Sequence, residues 1–254
     1  MRTLLISSLF LATLGSTLPA FAADPSPDEI IRRFAAKEAE FRKARENYTY
    51  RQSLKFEELD PDGRMVQGKW ELTSDIIFGP NKQRVEKVVY APMMTLHLAI
   101  TPQDEQDLRS VQPFVLTTED IGKYNIDYIG KENADEIPCY TFNVRPKTMV
   151  KGERYFEGKI WVDDRDFQIV KTFGKGVGLL KKNEDNQFPR FETYRQQIDG
   201  KYWFPVYTHA DDVLHFRDND QRIRMVVKYQ NYKRFGAETS VTFGDEVPET
   251  PKKP

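Results

Sequence analysis

From Pro27 to Glu46 the apolar residues recur at three- and four-residue intervals, and after Asn47 they recur at every second residue. The first period is that of a helix lying on an apolar surface, and the second is that of strands with one buried face. Ile30, Ile31, Phe34 and Phe41 form the helical stripe, and Arg32, Arg33, Lys37, Glu40 and Lys43 lie on the opposite side. Ser26-Pro27-Asp28-Glu29 supplies the start. Serine caps, proline fits the first helical position, and a Glu three residues after the cap completes a capping box. The pattern predicts a helix running to about Glu46.

Tyr48, Tyr50, Leu54 and Phe56 alternate with Thr49, Arg51, Ser53 and Lys55, and Pro61-Asp62-Gly63 makes a turn. The next alternation is the clearest in the chain. Val66, Trp70, Leu72, Ile76 and Phe78 fall on one face, and Gln67, Lys69, Glu71, Thr73 and Asp75 on the other. Gly79-Pro80-Asn81 turns it into a third strand over 83–90. The segment 91–121 breaks the meander: APMMTLHLAI is apolar without a two-residue period, and Thr101-Pro102-Gln103-Asp104 starts a short helix. Strands resume at 123–130, 138–145, 154–163, 167–174, 189–198, 201–214 and 221–235, and a last short one is expected near 239–243. Tyr140, Phe142 and Val144 share a face, as do Phe204 and Val206.

About ten antiparallel strands, one amphipathic helix and a helical insertion define the fold class as α+β. The expected architecture is one strongly curved antiparallel sheet, an incomplete β-barrel, with the N-terminal helix and the insertion as its lid.

The beginning of the chain adds a compartment. Met1-Arg2 is followed by an apolar run from Leu4 to Leu14, then by Ala20-Phe21-Ala22. This is the pattern of a secretory signal peptide of bacterial style, cleaved after Ala22, and it places the mature protein in the periplasm. The apolar run is short for a membrane span. The expected organisation is a signal peptide at 1–22, a single domain at 23–243 and a disordered tail at 244–254. The chain is 39% hydrophobic and 30% charged with a formal net charge of −1. That composition suits a globular domain and speaks against nucleic acid as a partner. A single cysteine, Cys139, allows no internal disulfide.

Catalytic signatures are absent: there is no G-x-S-x-G and no H-E-x-x-H. Gly174-Lys175-Gly176-Val177-Gly178 lacks phosphate-loop spacing and reads as a flexible strand end. Asp60-Pro61-Asp62-Gly63 and Asp163, Asp164 and Asp166 read as turns. His209, Asp211 and His215 share a strand face, but His215 stands too far along it to converge on a metal. Asn47-Tyr48-Thr49 is an incidental sequon. No enzyme activity, cofactor or metal is expected.

Four stretches carry a family resemblance: YIGKENADEIPCYTFNVRPK, EGKIWVDDRDFQIVKTFGKG, DGKYWFPVYTHAD and YQNYKRFG. With the order of elements, they resemble the LolA/LolB-like superfamily of periplasmic lipoprotein carriers over most of residues 27–243. The resemblance implies a half-barrel around an apolar cavity and a non-enzymatic role in carrying lipoprotein acyl chains or lipid toward the outer membrane. It also implies transport partners at the inner and outer membranes, and a monomer. The implied cavity wall is Val66, Trp70, Leu72, Ile76, Phe78, Tyr140, Phe142, Val144, Phe204 and Val206. The lid is Ile31, Phe34, Phe41, Met93, Met94, Leu96 and Leu98. An ordinary filled core is the plainer reading of any one of these residues. The alternative for the whole chain is therefore a non-catalytic envelope interaction or scaffold protein with a filled core. Two-residue counting puts Cys139 on the face opposite Tyr140, away from the wall.

Overall fold

The computed structural model describes residues 24–79, 81–179 and 188–235. The signal peptide, the strand near 239–243 and the tail expected from the sequence lie outside the described residues.

Helix α1 spans Pro27–Arg45. The Ser26 side chain accepts from the Glu29 amide at 3.3 Å, and Pro27 occupies the first turn. The Glu29 carboxylate pairs with Arg33 one turn on. Ile30, Phe34 and Phe41 are buried as the stripe predicts, whereas Ile31 is only partly buried. Ala35 and Glu38 complete the buried face.

Ten strands follow. β1 (Tyr48–Leu59), β2 (Val66–Phe78) and β3 (Arg84–Tyr90) precede the insertion, with β4 (Tyr124–Ala134), β5 (Ile137–Pro146), β6 (Tyr155–Asp163) and β7 (Ile169–Val177) after it. β8 (Phe191–Ile198), β9 (Tyr202–His215) and β10 (Asp220–Arg234) complete the set. They form one antiparallel sheet in the order β3-β2-β1-β10-β9-β8-β7-β6-β5-β4. Because β1 pairs with β10, this is the order of an up-and-down ring cut once, between β3 and β4. The sheet is therefore an open half-barrel, and the insertion is the connection between its two free edges.

That connection runs across the concave face. It contains α2 (Pro102–Gln106), a π-helical turn at Asp107–Val111 and a 3-10 turn at Ile121–Lys123. A capping box between Thr101 and Asp104 starts α2. Leu108, Val111, Phe114 and Leu116 enter the main core, where Phe114 stacks on Phe156 at 4.5 Å between centroids.

The glycine-rich run corrects one sequence expectation. Gly174 and Gly176 lie within β7, paired with Gly158 and Phe156, and do not form a loose end. A Cβ on Gly174 would stand 2.3 Å from the Glu157 carbonyl oxygen, so the strands at this point require bare backbone. On the convex face, Cys139 packs with Ala134, Trp161 and Val170. Burial pushes its thiol up to about 12, which leaves it an inert hydrophobe.

Candidate functional site

The concave face has two halves with different fillings. Under α1 it is packed solid. Phe34 meets Phe142 at 5.6 Å, and Phe41 meets Phe204 edge-on at 5.0 Å. Tyr140, Phe142 and Val144 are buried in this main core, and Phe204 is buried in a satellite cluster with Phe41 and Tyr48. These expected wall residues face packed side chains. Val206 is half-buried at the irregularity where β9 pairs with β8. Ile76 is fully buried, Phe78 is half-buried at the end of β2, and Val66 is half exposed at its start.

Under the insertion the face is not filled. A cavity of ≈ 190 Å³ opens between β1, β2, β8, β9 and β10 and the chain from Leu98 to Gln112. Leu54, Phe56, Trp70, Leu108, Leu214 and Met225 supply much of its apolar lining. Leu98 is the lid residue of the sequence that reaches it. A second cavity, of ≈ 310 Å³, adjoins the first across the shared side chains Leu54, Trp70 and Leu108. Its remaining wall holds more polar residues than the first, Gln52, Ser74, Arg84, Glu86, Glu105 and Arg109, set among Leu72, Val88 and the carbon stems of the long side chains. Of the expected wall residues, Trp70 and Leu72 thus border open space.

The other lid residues divide by exposure. Leu96 packs partly against the core, while Met93 is 87% exposed and Met94 46% exposed. Neither methionine closes the cavity.

Strand register explains the change from apolar to polar wall. Phe56 faces Trp70, Leu54 faces Leu72, and Gln52 faces Ser74 across β1 and β2. On β3, Val88 faces Ser74 and Glu86 faces Ile76. One step of two residues, about 7 Å along the strands, carries the concave face from hydrocarbon to polar groups. Gln112 interrupts the apolar wall: its Nε2 donates only to the Met225 sulfur, and its Oε1 has no partner.

Three buried carboxylates fix what lies over the sheet. Glu38 of α1 receives Arg195 of β8 in a bidentate pair at 3.0–3.2 Å, and the Ile169 amide donates to the same carboxylate. Arg195 also donates to the Phe114 carbonyl, which joins helix, sheet and insertion. Burial pushes the Glu38 carboxyl up, opposed by the charge and hydrogen bonds of Arg195. Asp107 takes two hydrogen bonds from Arg154, at 2.8 and 2.6 Å, in a pair almost without solvent exposure. Gly176 lies beneath it, where a Cβ would stand 1.9 Å from Asp107 Oδ2. Glu58, fully buried, accepts from the amides of His97 and Leu98 and contacts His97 Nδ1 at 2.9 Å. Gly68 makes room for this crossing, since a Cβ would meet both Glu58 and the Thr95 carbonyl oxygen at 2.6 Å.

The sequence reading missed all of these charged residues. Glu38 does continue the stripe at one turn from Phe34, which was its available signal. The histidines do not converge: His97 turns to Glu58, His209 lies 3.6 Å from Glu192, and His215 bonds Asp220 at 2.8 Å. Asp163 and Asp166 accept from turn amides. No cluster suited to a metal ion occurs among the described residues. No described helix is long and apolar enough to cross a membrane.

No family model matches the chain, and no curated protein does. Solved structures do. A DUF1329 family protein from Desulfovibrio piger is 12% identical with a TM-score of 0.40, over 85% of this chain and 96% of its own. A LolA superfamily protein from Nitrosomonas europaea is 12% identical with a TM-score of 0.36, over 79% of this chain and 94% of its own. A domain described as an outer membrane lipoprotein-sorting protein, from Vibrio parahaemolyticus, is 12% identical with a TM-score of 0.37. It is matched over 80% of this chain and 93% of its own. Each is a protein to which this chain is similar along most of its length.

Proposed function

We propose that this protein is a non-catalytic periplasmic carrier that takes an acyl chain of a lipid or lipoprotein between the insertion and the sheet. The observation that carries this reading is the ≈ 190 Å³ apolar cavity beneath Leu98–Gln112. An apolar cavity of about 150 Å³ stays dry and binds benzene or xenon, so this one has room for a short run of methylenes. Each methylene moved from water contributes about 0.8 kcal/mol. The signal-peptide pattern at 1–22 supports export, and the hairpin resemblance supports a carrier role.

Entry and exit belong to the insertion in this reading. The α1 half has its apolar residues already engaged by protein, so moving α1 would expose a packed core and an unpaired buried charge. The 91–101 segment leaves Met93 and Met94 exposed and is fastened by its backbone, with the amides of His97 and Leu98 donating to Glu58.

The test is to isolate the exported protein without detergent, extract it with solvent and identify bound acyl species by mass spectrometry. A fluorescent fatty-acid displacement titration runs alongside. Acyl species in the extract, or saturable probe binding, is the expected result. A folded protein showing neither overturns the reading. The scaffold alternative draws on a different observation, the exposed apolar residues Val85, Val88, Val89 and Tyr90 on edge strand β3. It predicts a stable protein partner and no acyl species.

A further inference from the structure

The polar cavity beside the acyl site has its own chemistry. Six described residues bury a side-chain polar atom that lacks any hydrogen-bond partner, and two of them, Ser74 and Arg84, line this one cavity. Such groups are costly to leave unmatched. Arg84 is partly satisfied: Nη1 donates to Glu86 at 2.8 Å and Nη2 to Gln52 at 3.3 Å, but Nε–H has no acceptor. Ser74 is 1% exposed, and its hydroxyl lies beside the Glu86 carboxylate without a well-aligned hydrogen bond to it.

The charges around them are otherwise matched. Glu86 belongs to Arg84, and Glu105 pairs with Arg109 at 3.1 Å. What the cavity offers unused is a guanidinium N–H and a hydroxyl, which donate to an oxygen acceptor and give no home to a further cation.

We propose that this cavity is the head-group subsite of the carrier, and that its ligand is an amphiphile whose polar end carries acceptor oxygens, of the carboxylate or carboxylic-ester class. The inference rests on the acyl-carrier reading and specifies it. The hydrocarbon lies along the Phe56–Trp70 and Leu54–Leu72 rows, and the head lies one row further, between Ser74 and Arg84. Trp70 and Leu108, common to both cavities, sit where chain meets head.

The experiment uses the mature chain and four probes with the same hydrocarbon: dodecanoate, methyl dodecanoate, dodecanol and dodecyltrimethylammonium. Binding is followed by isothermal titration below the micelle concentration of the charged probes and the solubility limit of the neutral ones. Dodecanoate or its ester should bind at least about tenfold more tightly than the ammonium probe, a factor equal to about 1.4 kcal/mol. The preference of dodecanoate over methyl dodecanoate separates a free acid from an ester as the head. In Ser74→Ala and Arg84→Lys the ratio of dodecanoate to dodecyltrimethylammonium affinity should fall toward one. Arg84→Lys keeps the charge and loses Nε–H. If Arg84→Lys does not fold, Ser74→Ala and the wild-type ratio still decide. Equal binding of all four probes overturns the subsite while leaving the acyl carrier standing. A ratio unchanged in folded variants also overturns the subsite. Failure of every probe to bind removes both.

Discussion

The two halves of the concave face are built from the same alternation, yet one is solid and the other hollow. Over β5 and β7–β9 the cover is α1, a regular helix that presents Ile30, Phe34 and Phe41 at turn spacing to the rows below. Over β1–β3 and β10 the cover is an irregular chain whose direction is set by polar anchors, with Glu58 holding the amides of His97 and Leu98 and Arg154 holding Asp107. A helix fills space because its side chains fan out at fixed intervals. A strap held by its backbone need not deliver a side chain to every hole beneath it. The hollow is thus a consequence of how the cover is fastened.

The strongest way to break this contrast is to unfasten the solid half. Arg195→Met leaves Glu38 buried without its partner and should cost about 3–5 kcal/mol in urea unfolding. Phe34→Ala should cost about the same by cavity formation. Trp70→Ala, in the hollow half, should cost less than half as much, and equal losses would mean that the halves do not differ. Glu58→Gln should cost about 1–3 kcal/mol by setting an amide N–H₂ against backbone donors. Hydrogen exchange should then quicken at His97 and Leu98 and stay unchanged in α1. Faster exchange throughout α1 would show the two covers to be one unit. Leu108→Trp, placed between the two cavities, should weaken fatty-acid binding about tenfold, or about 1.4 kcal/mol. The smallest effect belongs to the convex face, where Cys139→Ala should leave probe binding unchanged. Its thiol rises from 9.0 to about 12 on folding. Its contribution is therefore intact below pH 9 and fades as the pH climbs toward 12, because the unfolded chain ionises first. Cys139→Ala should flatten that alkaline decline in stability.

The sheet and α1 were legible in the sequence because amphipathic periods are local. The alternation at 66–78 and the stripe from Ile30 to Phe41 each need only their own segment to be read. The buried ion pairs were not, because Glu38 and Arg195 lie 157 residues apart and each alone looks like a solvated charge. Which apolar residues line space was hidden for a related reason. Phe142 and Trp70 each lie on the apolar face of an alternating strand, and only the element above decides that one is packed and the other borders a cavity. The glycines at 174 and 176 looked like looseness and are points of close approach.

The cut between β3 and β4 has a mechanical consequence. A closed barrel has its radius fixed by strand number and stagger, so its interior cannot grow without breaking the ladder. Here β3 is paired on one side only, and it carries Arg84, Glu86 and Val88 of the second cavity's wall. Moving β3 alone away from β2 would enlarge the space under the insertion and leave the β1–β2 pairing whole. An open edge therefore leaves the fold one jaw with a free side, which a closed ring lacks.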